Sequence, residues 1–168
     1  AQRTRMLELA LAAEPGFRVD TRELRRRGPS WTVATLRELR AELGPEAPLA
    51  WVLGADSFRG LPGWHAWEAL PGLAHFVVAV RPGHALDPLP PVLAAACAGR
   101  WREDPADLAA APAGRLFRLD MALHPASATE VRRGLAGGEG PAGWLDPAVA
   151  AYIAREGLYR GGSGPAGV

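Results

Sequence analysis

The apolar run PLAWVLGAD at 48–56 constrains this chain more than any other stretch. It has no polar alternation and sits between breakers. A strand of that kind is expected to be buried on both faces, as in a parallel sheet. HFVVAVRPG repeats the pattern over 75–81 and is stopped by Pro82-Gly83, and LFRLD at 116–120 supplies a third buried strand. Helical patterns lie between and around them. Residues 3–13 put Met6, Leu7, Ala10 and Leu11 on one face. Residues 32–43 face in with Leu36 and Leu39 after a break at GPS, where Ser30 or Thr32 can cap. Short helices are expected at 57–61, 64–70 and around 90–98, and a longer one over SATEVRRGLAGG at 127–138. The last begins at DPAVAAYIAREGLYR, with Asp146 as cap and Pro147 in the first helical position, and stops at Gly157. FRVD at 17–20 alternates and reads as a short strand. Strands alternating with helices give an α/β fold with a mainly parallel sheet flanked by helices. No internal repeat or linker divides it. The expectation is one domain over 1–160 with GGSGPAGV at 161–168 as a flexible tail.

Length and composition narrow the class. The chain of 168 residues is 48% hydrophobic and 22% charged, which reads as soluble and globular. No apolar run approaches the roughly 18 residues of a membrane span, and AQRTRMLELALAA opens as a helix rather than a secretory signal. The net charge of +1 gives no reason to expect nucleic-acid binding. Every basic residue among the 19 is Arg, and this usage follows from GC-rich coding as readily as from function. Cys97 stands alone in VLAAACAG and reads as a small buried apolar residue, so a reducing cytoplasm is the expected location.

Ligands of parallel sheets gather beyond the carboxyl ends of the strands. That rule singles out Asp56-Ser57, Arg81-Pro82-Gly83 and the segment after Asp120. Asp56 suits either a helix cap or a carboxylate that accepts hydrogen bonds from ribose hydroxyls. Arg81 suits either an exposed charge before a turn or a phosphate donor. In SATEVRR, Ser127 and Glu130 make a capping box. Thr129 and Arg132 share one face of the same first turns, and free N–H groups with two hydroxyls and an Arg can also hold phosphate. Trp31 and Thr32 stand at a loop-to-helix junction, where Trp31 reads as a hydrophobic plug and Thr32 can instead hold a carboxylate through its hydroxyl and nearby N–H groups. Trp64 and Trp67 follow a Gly- and Pro-rich loop. Trp67 fits the helical pattern AWEAL and reads as core; Trp64 is open to core or ligand. RELRRR at 22–27 reads as a solvated face. His65, His75, His84 and His124 share no metal-binding spacing, and neither GxGxxG after a strand nor a Walker A sequence occurs.

Together these segments resemble the bacterial nicotinate mononucleotide adenylyltransferases, nucleotidyltransferases with a Rossmann-like fold. RTRMLELALA, ELRRRGPSWTVATLRELR, LAWVLGADSFRGLPGWHAWEAL, HFVVAVRPG, SATEVRRGL and YIAREGLYR come in the family's order and cover nearly the whole chain except 84–115 and the tail. The resemblance implies adenylyl transfer from ATP to nicotinate mononucleotide, with pyrophosphate released and Mg2+ travelling with the ATP phosphates. It implies Trp64 stacked on the nicotinate ring, Trp31 and Thr32 at the nicotinate carboxylate, and Arg81 on the phosphate side. It further implies Asp56 at a nucleotide ribose, and Ser127, Thr129 and Arg132 at the ATP phosphates. It leaves a homo-oligomer open and implies neither nucleic-acid nor membrane partners.

One family element is missing from these residues. A first strand and a GGxFxPxHxxH-type loop, whose histidines serve the ATP phosphates, would precede Ala1. Losing a central strand would cost far more than the roughly 5–15 kcal/mol stability of a domain. The expectation is therefore an adenylyltransferase read from after its first βα unit, with no catalytic histidine in the present residues. Two rivals stand beside it: a nucleotide-binding remnant without catalysis, and a sister adenylyltransferase acting on phosphopantetheine or nicotinamide mononucleotide.

Overall fold

Four parallel strands carry the larger of two compact units. In a computed structural model describing residues 1–83, 86–122, 127–138 and 143–159, this unit spans residues 22–123. Its strands are β1 (Ala50–Gly54), β2 (His75–Val80), β3 (Trp101–Arg102) and β4 (Leu116–Asp120), in the order β1-β2-β4-β3. Leu53 pairs with Val78 and Val78 with Arg118, so the register carries one face from strand to strand. Helices α2 (Arg22–Arg25), α3 (Thr32–Leu43), α4 (Ala55–Arg59) and α5 (Pro91–Cys97) connect them, with 3-10 turns at Leu61–Gly63, Trp67–Gly72 and Pro105–Ala110.

The three expected strands form and are parallel, but their burial alternates where continuous burial was expected. Trp51, Leu53, Phe76, Val78 and Leu116 point to one face and join Leu36, Phe58, Leu61, Leu70 and Leu93 in the core. On the other face Val52 is 64% exposed and Leu119 is 40% exposed. Only β2, flanked by β1 and β4, is covered along most of its length. The physical reason is that the core cluster lies on a single side, so the apolar side chains of the opposite face lack partners. Phe58 organises the packed side. Its ring lies 6.3 Å from Phe76 and edge-on to Trp101 at 5.9 Å, contacts worth about 0.5–1.5 kcal/mol each beyond area burial.

Several local expectations are corrected. FRVD at 17–20 forms no strand, because a four-residue alternation without a partner has no ladder to join. Trp31, rather than Ser30 or Thr32, is the N-cap of α3, and no side chain caps it. Ser30 Oγ instead donates to the Glu23 carbonyl at 3.4 Å. The RELRRR run is not simply solvated. Arg22 holds Glu42 through two nitrogens at 3.1 and 2.9 Å, and Arg26 holds Glu38 at 2.7 Å and the Thr35 hydroxyl at 3.2 Å. Thr35 in turn donates to Glu23 at 2.5 Å. The run thus fastens α2 to α3. The segment 84–115, read as carrying one helix around 90–98, also contributes β3, and buries Leu86, Leu93 and Cys97.

The amino-terminal edge of the sheet is held by two polar side chains. Arg40, near the end of α3, donates to the carbonyls of Leu73 (2.7 Å), Ala47 and Pro112, and more weakly to Gly44 (3.4 Å). Ala47, Leu73 and Pro112 lie in the segments leading into β1, β2 and β4. His75 is fully buried. Its Nδ1 accepts the Arg115 N–H at 2.9 Å, so Nε2 carries the proton and donates to the Ala111 carbonyl at 2.8 Å. Gly114 fits between them with φ +89°; a Cβ there would lie 3.1 Å from the Arg100 guanidinium.

The smaller unit comprises residues 1–21 and 124–168, and it is described by itself. It contains α1 (Gln2–Ala10), α6 (Ala128–Ala136) and α7 (Pro147–Arg155), with α1 packed against α7. Met6, Leu7 and Ala10 share a hollow with Trp144, Val149 and Tyr159, as the expected helix face requires. Asp146 caps α7 by accepting from Ala148 N at 2.8 Å. Gly157, at φ +65°, ends it in a Schellman arrangement, with Leu158 N donating to Ile153 O at 3.0 Å. The expected tail at 161–168 lies outside the described residues.

Two outcomes follow. Arg40→Met leaves the partly buried carbonyls of Ala47 and Leu73 without a donor, Pro112 keeping the Leu49 N–H at 3.1 Å, and should lower unfolding stability by about 2–4 kcal/mol, read as a reduced urea midpoint. Cys97 is buried, which pushes its thiol up from the ordinary range, with the Arg100 guanidinium pulling it partly back. A raised folded-state value means the folded chain keeps the proton longer than the unfolded one. That contribution is full below the unfolded thiol's range and is lost as pH rises through the folded one. Stability should therefore fall across alkaline pH more steeply in the parent than in Cys97→Ala; equal slopes would dismiss the thiol as the cause.

Candidate functional site

The carboxyl ends of β1, β2 and β4 converge on two adjoining hollows. One, of about 410 Å³, is lined by Val52 to Ser57, Ala79, Arg81 and Met121. The second, also about 410 Å³, is lined by Val80 to Gly83, Arg118, Asp120 and Met121. Arg81 and Met121 belong to both. The reason for this location is chain direction: parallel strands all release their chain at the same edge, so the following loops cluster there. Met121 N donates to the Val80 carbonyl at 2.9 Å, which extends the β2–β4 pairing into the rim.

Asp56 does not simply end a strand. It lies in the first turn of α4, exposed, where a carboxylate complements the free N–H groups of the helix start. Ser57 follows it into the same hollow. Arg81 is exposed one residue beyond β2. Arg118 is tethered to Asp120 at 2.8 Å within the second hollow, a pairing hidden in the sequence because β4 was read as simply apolar. Thr32 occupies the first turn of α3, half-buried, next to the exposed Trp31.

The two tryptophans of GWHAW part company. Trp67 is buried in the core. Trp64 is half-buried, follows the 3-10 turn Leu61–Gly63 with extended backbone, and packs one side on the core. Between them Ala66 has φ 50° and ψ 40°, a left-handed conformation that costs a non-glycine residue roughly 1–2 kcal/mol. That reversal turns His65 outward. Its ring stacks on Trp31 with centroids 4.8 Å apart and planes at 27°. His65 was read from the sequence as an isolated residue. Nothing in its spacing could reveal a partner that lies in a distant loop.

Ser127, Thr129 and Arg132 lie on α6 in the smaller unit. The capping reading of Ser127 holds: its Oγ accepts the Glu130 N–H at 3.1 Å and donates to Glu130 Oε2 at 2.9 Å. Thr129 and Arg132 are exposed on the first two turns. Trp31, Thr32, Asp56, Trp64 and Arg81 belong to the sheet unit and the other three to the smaller one. Of the remaining histidines, His75 is committed to two backbone groups, while His84 and His124 lie outside the described residues. Among the described residues no group of three or more His, Cys, Asp and Glu could hold a metal ion, and no helix is long and apolar enough to cross a membrane.

Residues 1–134 match the Cytidylyltransferase-like family. A Stenotrophomonas maltophilia (strain K279a) protein named "Probable nicotinate-nucleotide adenylyltransferase" is 53% identical over 165 residues, covering 95% of this chain and 74% of its own length. A protein of the same name from Laribacter hongkongensis (strain HLHK9) is 48% identical over 160 residues, 95% of this chain and 72% of that one. Among solved structures, a Plasmodium falciparum nicotinic acid mononucleotide adenylyltransferase complexed with NaAD is similar at a TM-score of 0.61. It is 18% identical and the match covers 94% of this chain and 73% of that one, a likeness of fold. Identity of 53% and 48% to the two named relatives over 95% of the chain, with the family match over residues 1–134, makes this chain a member of the nicotinate-nucleotide adenylyltransferases within the cytidylyltransferase-like proteins.

Proposed function

We propose that this chain transfers the adenylyl group of ATP to nicotinate mononucleotide, as the names of its relatives state for them, and so serves NAD biosynthesis in the cytoplasm. The observation that carries the reading is the strand-end rim. There an anionic and a cationic group, Asp56 and Arg81, line one hollow of about 410 Å³, and the loop after α4 carries the half-buried indole of Trp64. In the reaction a phosphate oxygen of nicotinate mononucleotide forms a bond to the α-phosphorus of ATP. The bond from that phosphorus to the bridging oxygen of the β-phosphate breaks, and pyrophosphate leaves with its electron pair. Such transfer asks the protein for alignment and charge neutralisation rather than covalent participation.

Each residue then has a task. Trp64 offers a flat face to the pyridine ring. The N-terminus of α3, with the Thr32 hydroxyl and the adjacent Trp31, receives the ring carboxylate. Asp56 accepts hydrogen bonds from ribose hydroxyls, and Arg81 takes a phosphate. On α6, Ser127, Thr129 and Arg132 grip the ATP phosphates, the capping role of Ser127 leaving its helix N–H neighbours to do the same. A divalent cation, Mg2+ in this reading, neutralises the triphosphate when bound. Among the described residues the carboxylates lining the hollows are Asp56 and Asp120, one in each, which do not build a site for it. No step is assigned to the ion.

Substitutions separate these roles. In protein made from the whole reading frame, Trp64→Ala should raise the KM for nicotinate mononucleotide roughly 10- to 100-fold, the scale of one lost stacking contact. ATP should be much less affected, and equal effects on both substrates would return Trp64 to the core. Arg132→Ala should impair ATP use alone; unchanged ATP kinetics would remove it from the phosphate grip. A substrate panel that prefers nicotinamide mononucleotide over the acid would overturn the choice of substrate.

A further inference from the structure

We propose that His65 is a positioning residue: its stack on Trp31 is a strut that sets the width of the opening in which the pyridine ring lies. The inference rests on the base-site reading of Trp64. The stacked pair joins two elements: the N-terminus of α3, where Trp31 is the cap, and the loop after α4, where His65 directly follows Trp64.

Three observations carry the proposal. Trp31 is 44% exposed and His65 is also exposed, so the stack is not a by-product of core packing. The planes are nearly parallel at close range, within the range in which aromatic pairs attract beyond simple burial. Ala66 keeps a left-handed backbone that glycine or asparagine would adopt more readily. Strain of this kind persists only where surrounding contacts hold it. Here those contacts are Trp67 in the core on one side and the His65–Trp31 stack on the other. The reversal lets adjacent residues serve opposite ends: Trp67 anchors the loop, and His65 reaches α3.

The consequence is specific. The strut fixes how far Thr32 and the α3 N–H groups stand from the Trp64 loop. A flat ring bearing a carboxylate must meet both at once, whereas the ATP side meets neither. Loosening the strut therefore weakens the base-bearing nucleotide without touching ATP.

The test is a double-mutant cycle of His65→Ala, Trp31→Ala and the pair, with His65→Phe and Trp64→Ala alongside. Affinities for nicotinate mononucleotide and for a non-hydrolysable ATP analogue are measured by calorimetry, with thermal unfolding as a control. His65→Ala should weaken nicotinate mononucleotide roughly 3- to 10-fold and leave the ATP analogue unchanged. His65→Phe should restore most of the loss, and the double variant should bind no worse than Trp31→Ala. Additive losses, or no rescue by Phe, would overturn the strut. If Trp64→Ala weakens the base nucleotide while His65→Ala does not, the strut fails and the base site stands. If neither has an effect, the base site itself is wrong and the strut falls with it.

Discussion

The guanidinium of Arg40 is the constraint on which the sheet unit turns. Three parallel strands begin at one edge, and their lead-in segments bring carbonyls together in a partly buried region. One planar group with several donors in a fixed fork can satisfy carbonyls from Ala47, Leu73 and Pro112 together. A lysine has the charge but not the fan of donors. His75 works alongside, with both ring nitrogens used on backbone groups of the segment before β4. The amino-terminal edge is thus closed by polar side chains whose partners are all backbone, so strand starts are held in register.

A closed floor allows an open rim. At the carboxyl edge the same strands diverge into α4, the Pro82-Gly83 turn and the segment after Asp120, and there Asp56, Ser57 and Arg81 line one hollow while Arg118 and Asp120 pair at 2.8 Å in the next. Asp56 and Arg81 stand together there because each follows directly on a strand. The strain at Ala66 fits the same division. Ala66 sits in the loop after α4, between Trp67 in the core and the outward His65, where backbone geometry decides which ring packs inward.

Much of this was legible in the chain. The strands at 50–54, 75–80 and 116–120 are apolar stretches between breakers, and direction followed from the intervening helices. The capping box at Ser127 and the Asp146-Pro147 start of α7 depend only on neighbours in sequence. Burial on both faces was not legible, because a run such as AWVL has the same composition whether one or both sides are covered. Nor was β3, since two residues, Trp101 and Arg102, become a strand only through the β4 edge. The pairing of Arg22 and Arg26 with α3 escaped for the same reason: a charge run looks alike whether it meets water or carboxylates.

By itself, the sequence determined the three long strands, the main helices and the caps at Ser127 and Asp146, that the sheet is parallel, and which residues stand at the ends of those strands. These follow from local periodicity, from breakers, and from the rule that parallel strands open at one edge. Only the tertiary structure decided which rings meet. Trp31 found His65, Trp67 found the core, and Arg40 found three loops, because contact between residues far apart in the chain depends on where the backbone between them turns. That path is set by packing, and in this rim by a single left-handed alanine.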